Sequence, residues 1–467
     1  MLDNFPIVII GAGPVGLAAA VHVLQRGQTP LVLEAGPAVG SGPRKWGHIR
    51  MFSPWEFNID PVAGMLLARH GWLAPDPQAL PTGRELVEKY LEPLAALPQL
   101  APRIRLDARV TGISRENRDR MTDSRRSEMP FVVRYVRGRQ EAEVLAQAVI
   151  DASGTLGSPN PAGSAGLPSI GENACRERIY YGMPDLLGAE RKRYAGRRIL
   201  VLGAGHSAVG TLLDAVRLRE KAKGTQIHWA VRQPDLRKVL GGGDRDQLVE
   251  RGRLGVEIIK LVDEGSLTVH LGFNLDHLHL GASGLVAAED QRELPPVDEL
   301  VVATGYRPDL SLLSEIRLAL DPSIQCPFRL APLIDPNQHS CGTVPPHGAE
   351  ELRHPEERFY LVGMKSYGRA PTFLMRTGYE QVRSVAAALA GDWESARRVE
   401  LSLPETGVCS VSFDADQGPA SECCGGPANS ASSACCAADG EASGGGRQIG
   451  EAVVGTIGNR ATRAATG

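Results

Sequence analysis

The chain carries almost no excess charge of either sign: 51 Lys and Arg stand against 54 Asp and Glu, a formal net charge of -3 over 467 residues. So even a balance supplies no basic field for nucleic acid or for an anionic membrane surface. Neither is an expected partner; a small-molecule substrate is. Uninterrupted hydrophobic stretches are missing too. The one segment that could pass for a signal peptide or a membrane span, Ile7 to Leu24, lacks a basic flank and is broken by Gly11, Gly13, Pro14 and Gly16. It reads instead as a strand, a turn and a helix, and the protein is expected in the cytoplasm.

Cysteine is scarce where a folded body would use it. Of eight cysteines, Cys409, Cys423, Cys424, Cys435 and Cys436 follow residue 400, which leaves Cys175, Cys326 and Cys341. This is no disulfide framework, and the lack of a C-x-x-C pair in the body argues against an internal dithiol relay. What is present suits a soluble globular chain: 42% hydrophobic and 22% charged residues, with 53 Gly and 33 Pro for tight turns and close backbone approaches. The length corresponds to about three domains at roughly 150 residues each.

From Asn4 to Glu34 an apolar run, a glycine turn, a helical pattern, Gly27 and a second apolar run succeed one another, the order of a βαβ unit. Helical patterns follow around Met65 to His70 and Arg84 to Leu97, then extended segments at Arg103 to Ile113, Pro130 to Val136 and Val144 to Asp151. A second βαβ unit starts at Arg198, with a helix to about Lys223 and a strand from Gln226 to Val231. Two such units imply two cofactors, or one large cofactor and a co-substrate. Further ordered pieces are predicted at Glu299 to Thr304, Phe359 to Val362 and Thr377 to Ala390. The fold class is α/β, with two Rossmann-like dinucleotide-binding domains. After Leu403 the composition turns to Ala, Gly and Ser with Phe413 as the single aromatic, which predicts a disordered tail.

Gly11, Gly13 and Gly16 form G-x-G-x-x-G, with Pro14 and Val15 inside it, between the first strand and its helix. The first glycine permits the turn, the second lets a pyrophosphate reach the backbone, and the third lets helix and strand pack closely. The helix N-terminus then faces the phosphates. Glu34, closing the second strand, is placed to accept hydrogen bonds from ribose hydroxyls. Gly203, Gly205, His206, Ser207 and Ala208 repeat the arrangement, with alanine as the third member. Here the second strand ends in Val231-Arg232, and an arginine at that point pairs with a 2′-phosphate, which favours NADPH over NADH. The alternative for Arg232 is a solvated strand end; Arg237 is a candidate second phosphate contact.

Together with Asp151-Ala152-Ser153-Gly154, Pro159, Pro161 and Ala303-Thr304-Gly305-Tyr306, these turns make residues 5–392 resemble the two-dinucleotide-domain flavoproteins, flavin-containing and N-hydroxylating monooxygenases among them. The resemblance implies FAD at the first turn and NADPH at the second. It also implies a discontinuous FAD-binding domain, 1–165 and 300–395, with an NADPH-binding domain, 175–295, inserted in it. Ser153, Gly154, Thr304 and Gly305 then mark the crossovers between the two. Val110 is the implied backbone contact to adenine. Trp46, His48 and Arg50 lie where the family's loop reaches the flavin ring, with packed or surface loop positions as the alternative, and Gly363 belongs to the implied flavin-covering segment.

Two departures qualify this. In F-x-G-x-x-x-H, aligned from Tyr180 with Gly182 in place, the histidine position holds Leu186. The Gly-Asp that holds the ribityl chain in disulfide reductases is absent from Tyr360-Leu361-Val362-Gly363-Met364-Lys365. With Gly363 to Arg369, Thr377-Gly378-Tyr379-Glu380 and the tail cysteine pairs, that stretch resembles flavoprotein monooxygenases found with arsenic-resistance functions.

The implied activity is that of an FAD-containing, NADPH-dependent monooxygenase: hydride reduces FAD, O2 adds to give a C4a-peroxyflavin, and one oxygen atom passes to a soft nitrogen, sulfur or arsenic centre. Leu186 keeps open an NADPH-dependent flavin reductase passing electrons to a thiol, metal or partner. The tail, 404–467, keeps open a metalloid-binding flavoprotein. Its pairs Cys423-Cys424 and Cys435-Cys436 suit soft ions such as trivalent arsenic, mercury or copper(I), and their spacing is not that of a zinc finger. Gly241 to Asp246 reads either as a mobile loop at the nicotinamide entrance or as a surface turn. His270, His277 and His279 alternate with leucines and read as a half-exposed strand rather than a metal site.

Overall fold

Short strands with almost no polar face have no place at a sheet surface. Ile7–Ile10, Pro30–Leu33, Ala148–Asp151 and Glu299–Val302 are buried at every position. Such strands belong in parallel sheets covered by helices on both faces. A computed structural model of the chain, which describes residues 2–236, 249–338, 344–371 and 373–401, shows two of them. Arg237, the Gly241 to Asp246 loop, Cys341 and the whole 404–467 segment with its cysteines lie outside the described residues.

The first sheet holds five parallel strands in the spatial order Phe359–Leu361, Ala148–Asp151, Ile7–Ile10, Pro30–Leu33 and Ile104–Arg105. The second runs Thr268–His270, Gln226–Ala230, Arg198–Leu202, Glu299–Val302 and Ile179–Tyr181, again all parallel. Each expected βαβ unit is present, with helix Pro14–Gln25 in the first and His206–Lys221 in the second. One boundary needs correction. The return to the first half was expected at residue 300, yet Glu299–Val302 pairs with Arg198–Leu202 on one side and Ile179–Tyr181 on the other. It is the buried inner strand of the second sheet, so the chain turns back only after Val302.

Each sheet has an antiparallel companion of three strands: Ala108–Arg115, Phe131–Arg137 and Gln140–Ala146 in one half, His277–Gly281, Gly284–Glu289 and Arg292–Glu293 in the other. On His277–Gly281, His277 and His279 are exposed and Leu278 is buried, but Leu280 and Leu271 are exposed as well, so the alternation read from the sequence holds only at Leu278. His270 instead stacks on His228, with ring centroids 5.4 Å apart.

Helix Met375–Leu389 packs against Pro14–Gln25 within one apolar core, so a helix near the end of the described chain covers the first. A buried clamp ties the antiparallel sheet to the first parallel one. Glu356 accepts from Arg115 Nε and from Arg126 Nη2, each at 2.8 Å. The desolvation of this triad is offset by further bonds: Arg115 donates to the carbonyls of Met129 and Glu357, and Arg126 to those of Asp119 and Glu315. Among the described residues no helix is long and apolar enough to cross a membrane.

Candidate functional site

In an open parallel sheet a ligand binds beyond the C-terminal strand ends, where connections to the two neighbours diverge. In the first sheet that point lies between Ile10 and Asp151, which are register partners. Gly11 follows at φ +97°, and a Cβ there would fall 2.9 Å from the Ala152 carbonyl oxygen. A Cβ on Gly16 would collide with the carbonyl of Gly11, whereas one on Gly13 would meet nothing within 4 Å. Backbone fills the space beside the outer two glycines, and the middle one borders open space, as close approach of a phosphate requires. Pro14 is the first helical residue and no side chain caps the helix at Gly13, so its N–H groups remain available to an anion.

The second sheet repeats this between Leu202 and Val302, also register partners. Gly203 has φ +131° and a Cβ on it would collide with the Ala303 carbonyl; beside Gly205 nothing lies within 4 Å. The helix start at Gly205 again carries no side-chain cap. Ala208 is fully buried in the place of the third glycine. His206 is exposed at the helix start, and the Ser207 carbonyl accepts from Thr211 Oγ1 at 2.8 Å. Each glycine turn therefore abuts the alanine of an Ala-[Ser/Thr]-Gly segment, one carrying Ser153 and Gly154, the other Thr304 and Gly305.

Beyond those segments the two crossovers pair with each other. Asn160 N donates to the Gly305 carbonyl and Arg307 N to the Ser158 carbonyl, both at 2.9 Å. The Asn160 side chain donates to the Thr304 carbonyl at 2.9 Å and accepts from Arg307 Nε at 3.0 Å.

On the ribose side of the first turn, Glu34 is buried and its carboxylate accepts from Ala12 N at 2.7 Å and Gly36 N at 2.8 Å. A carboxylate has about four lone-pair sites, so capacity for ribose hydroxyls is left. Val110 lies nearby: Ala108 N donates to the Glu34 carbonyl and Asp107 N to that of Gly36. Arg232 is exposed at the end of its strand, with Nη1 donating to the Ser164 carbonyl at 3.2 Å.

The loop of Trp46, His48 and Arg50 divides. Trp46 packs on Gly83, and Arg50 is exposed with Nη1 donating to the Leu80 carbonyl at 2.5 Å, on the wall of a cavity of about 640 Å³ shared with Trp55 and Trp72. His48 instead has a buried Nε2 without a hydrogen-bond partner and contributes to the field at Asp214, on the helix of the second turn. Burial pushes the Asp214 carboxyl up, against the pull of Arg217 and His48. Phe52 reaches the same face, its ring 5.7 Å from that of His206.

The partners of Lys365 have no signature in the sequence. Lys365 is fully buried and pairs with Asp151 at 2.7 Å, while also donating to Ser153 Oγ at 3.0 Å. Gly363, at φ +67°, brings the same segment onto Val15 and donates its N–H to Gln381. The motif position lacking histidine, Leu186, is fully buried in the core of the second half. At Gly182 the structural demand is visible: a Cβ would lie 2.5 Å from the Tyr306 hydroxyl. Among the described residues no cluster of three or more His, Cys, Asp or Glu is placed to hold a metal ion.

Two uncapped helix starts behind glycine turns, one with a carboxylate and the other with an arginine at the neighbouring strand end, fit FAD and a nicotinamide dinucleotide respectively. The fold and these cradles define a flavoprotein oxidoreductase with two dinucleotide-binding units. Residues 8–328 match the pyridine nucleotide-disulphide oxidoreductase family, and the chain belongs to it. Its cofactors are accordingly FAD and NAD(P)H.

The bacillithiol disulfide reductase of Bacillus cereus is similar in structure, with 20% identity, TM-score 0.60 and coverage of 83% of this chain and 99% of that one. So are the FAD-bound cadaverine monooxygenase of desferrioxamine biosynthesis from Erwinia amylovora (15% identity, TM-score 0.58, 86% and 98% covered) and the ornithine hydroxylase of Pseudomonas aeruginosa (14%, 0.57, 83% and 99%). At such identities the likeness is one of fold. No curated protein matches the chain in sequence.

Proposed function

We propose that the chain is an FAD-containing, NADPH-dependent monooxygenase that oxygenates a soft nucleophile: a nitrogen, sulfur or arsenic centre. The observation that carries this reading concerns thiols. The two free cysteines among the described residues, Cys175 and Cys326, are both buried, and burial pushes the Cys175 thiol up and that of Cys326 to about 12. Unpaired and set in two separate cores, these two residues form no disulfide into which a reduced flavin could discharge. Among the described residues there is then no disulfide acceptor for the flavin's electrons, and in this reading they pass to O2.

Bound FAD supplies hydride acceptance and oxygen activation. The chain's own part is binding and alignment: the Gly13 and Gly205 turns take the pyrophosphates, Glu34 takes ribose hydroxyls, and Arg232 pairs with the 2′-phosphate.

The test is NADPH-driven turnover under isotopically labelled O2 with amine, thioether and trivalent arsenical substrates. Label in the product supports the monooxygenase. Coupled turnover that leaves every product unlabelled sinks it and favours an NADPH-dependent flavin reductase, the second reading, which the buried Leu186 at the histidine position supports. The coenzyme preference is tested separately. Arg232→Ala is expected to lower the NADPH/NADH ratio of kcat/KM by about tenfold, the size of one charge-assisted contact. An unchanged ratio would show that the arginine is only a solvated strand end.

A further inference from the structure

We propose that Lys365 is a positioning residue of the first cradle: it turns the Ser153 hydroxyl outward as a hydrogen-bond donor to an oxygen of the flavin dinucleotide. This rests on the flavoprotein assignment and not on the oxygenation chemistry. Lys365 and Asp151 both have 0% side-chain exposure and lie 2.7 Å apart. An ammonium so deeply buried needs every acceptor it can reach, and its second one is Ser153 Oγ at 3.0 Å. Asp151 holds the same residue from the other side, its Oδ1 accepting Ser153 N at 3.0 Å. Both the main chain and the side chain of Ser153 are therefore fixed.

The consequence lies in where the serine proton points. A hydroxyl that accepts a bond from an ammonium cannot aim its own hydrogen at that ammonium; it must donate elsewhere. Among the described residues no acceptor takes it, although Ser153 is exposed. Its Cα lies 3.2 Å from where a Gly11 Cβ would stand, so the residue that bears the free O–H borders the glycine turn. The cation also links two stretches of chain that approach this turn independently: Asp151 ends a strand beside Ile10, and Gly363 packs on Val15. The acceptor this donor suits is a phosphate or carbonyl oxygen, both of which FAD carries.

The experiment uses deflavinated full-length protein, with FAD binding followed by flavin fluorescence and thermal unfolding measured without FAD. Ser153→Ala is expected to raise the Kd for FAD about tenfold, the effect of one good hydrogen bond, and to lower the apo Tm because Lys365 loses its second acceptor. Ser153→Thr, which keeps the hydroxyl, is expected to retain affinity. Lys365→Met leaves Asp151 buried and unpaired, so it lowers the Tm; the double variant Lys365→Met/Asp151→Asn recovers Tm but keeps the raised Kd. Adding Ser153→Ala to that double variant is then expected to cost nothing more. Parent-like FAD affinity in Ser153→Ala, or in a folded double variant, overturns the proposal. A parent protein that takes up no FAD would instead remove the flavoprotein assignment beneath it.

Discussion

His354 shows how a single buried ring sets an acid limit on this fold. It is 8% exposed, Nδ1 accepts the Ala319 N–H at 3.3 Å, Nε2 has no partner, and the ring lies against Phe359. Burial drives its pKa down from 6.5 to about 4, opposed only by the Ala319 bond. Above the unfolded value both states are neutral and the group contributes no pH dependence. Between 6.5 and about 4 the unfolded chain takes up a proton that the folded chain refuses, so stability falls as pH falls through that window. The loss reaches roughly 3 kcal/mol at its lower end. Burial lowers His347, His228 and His270 as well, and these act in the same direction. The denaturant midpoint is expected to drop from neutrality toward about pH 4, and His354→Gln, which keeps an acceptor for Ala319, to flatten part of that slope. Identical slopes for the two proteins would remove His354 from the account.

At the scale of elements, the glycine turns separate what folding requires from what the ligand requires. Gly13 has φ -80° and ψ -175°, a conformation open to alanine, and a Cβ there meets nothing. Gly16 has no such freedom, because its Cβ would strike the Gly11 carbonyl. Gly13→Ala is therefore expected to leave the apo Tm unchanged or slightly raised while weakening FAD binding at least about tenfold. Gly16→Ala is expected to lower the Tm by several degrees, since helix and strand must part. Normal FAD affinity in Gly13→Ala would show that no phosphate comes close to that backbone.

This contrast also explains how far the sequence can be read. Both βαβ units, their glycines and the flanking strands were legible because a turn and a periodicity are local. Sheet membership is not, which is why Glu299–Val302 was placed in the wrong half: nothing within its own residues says that its partners are Arg198–Leu202 and Ile179–Tyr181. The Lys365–Asp151 pair spans 214 residues, and the approach of the Phe52 ring to His206 joins the two halves. Such contacts have no periodicity to betray them.

For the whole molecule, the decisive feature is that the two cradles are joined by two strands of chain that hydrogen-bond to each other. Asn160 and Arg307 form the clasp: their main chains bond to Gly305 and Ser158, Asn160 Nδ2 bonds to the Thr304 carbonyl, and Arg307 adds bonds to Asn160 Oδ1 and to the Gly166 carbonyl, both at 3.0 Å. Hydride transfer depends on the alignment of two separately held cofactors, so a fault in the clasp acts on the rate and not on either affinity. Asn160→Ala removes the two bonds that its own side chain makes between the crossovers and leaves both glycine turns untouched. FAD and NADP+ are expected to bind within about twofold of the parent, while anaerobic bleaching of the flavin by NADPH slows about tenfold, as a loss of roughly 1.4 kcal/mol of alignment implies. A bleaching rate equal to the parent's would mean that the main-chain bonds, with those of the Arg307 and Thr304 side chains to carbonyls, fix the two halves without Asn160. Loss of FAD affinity along with the rate would mean that Asn160 supports its own cradle rather than the joint between the two.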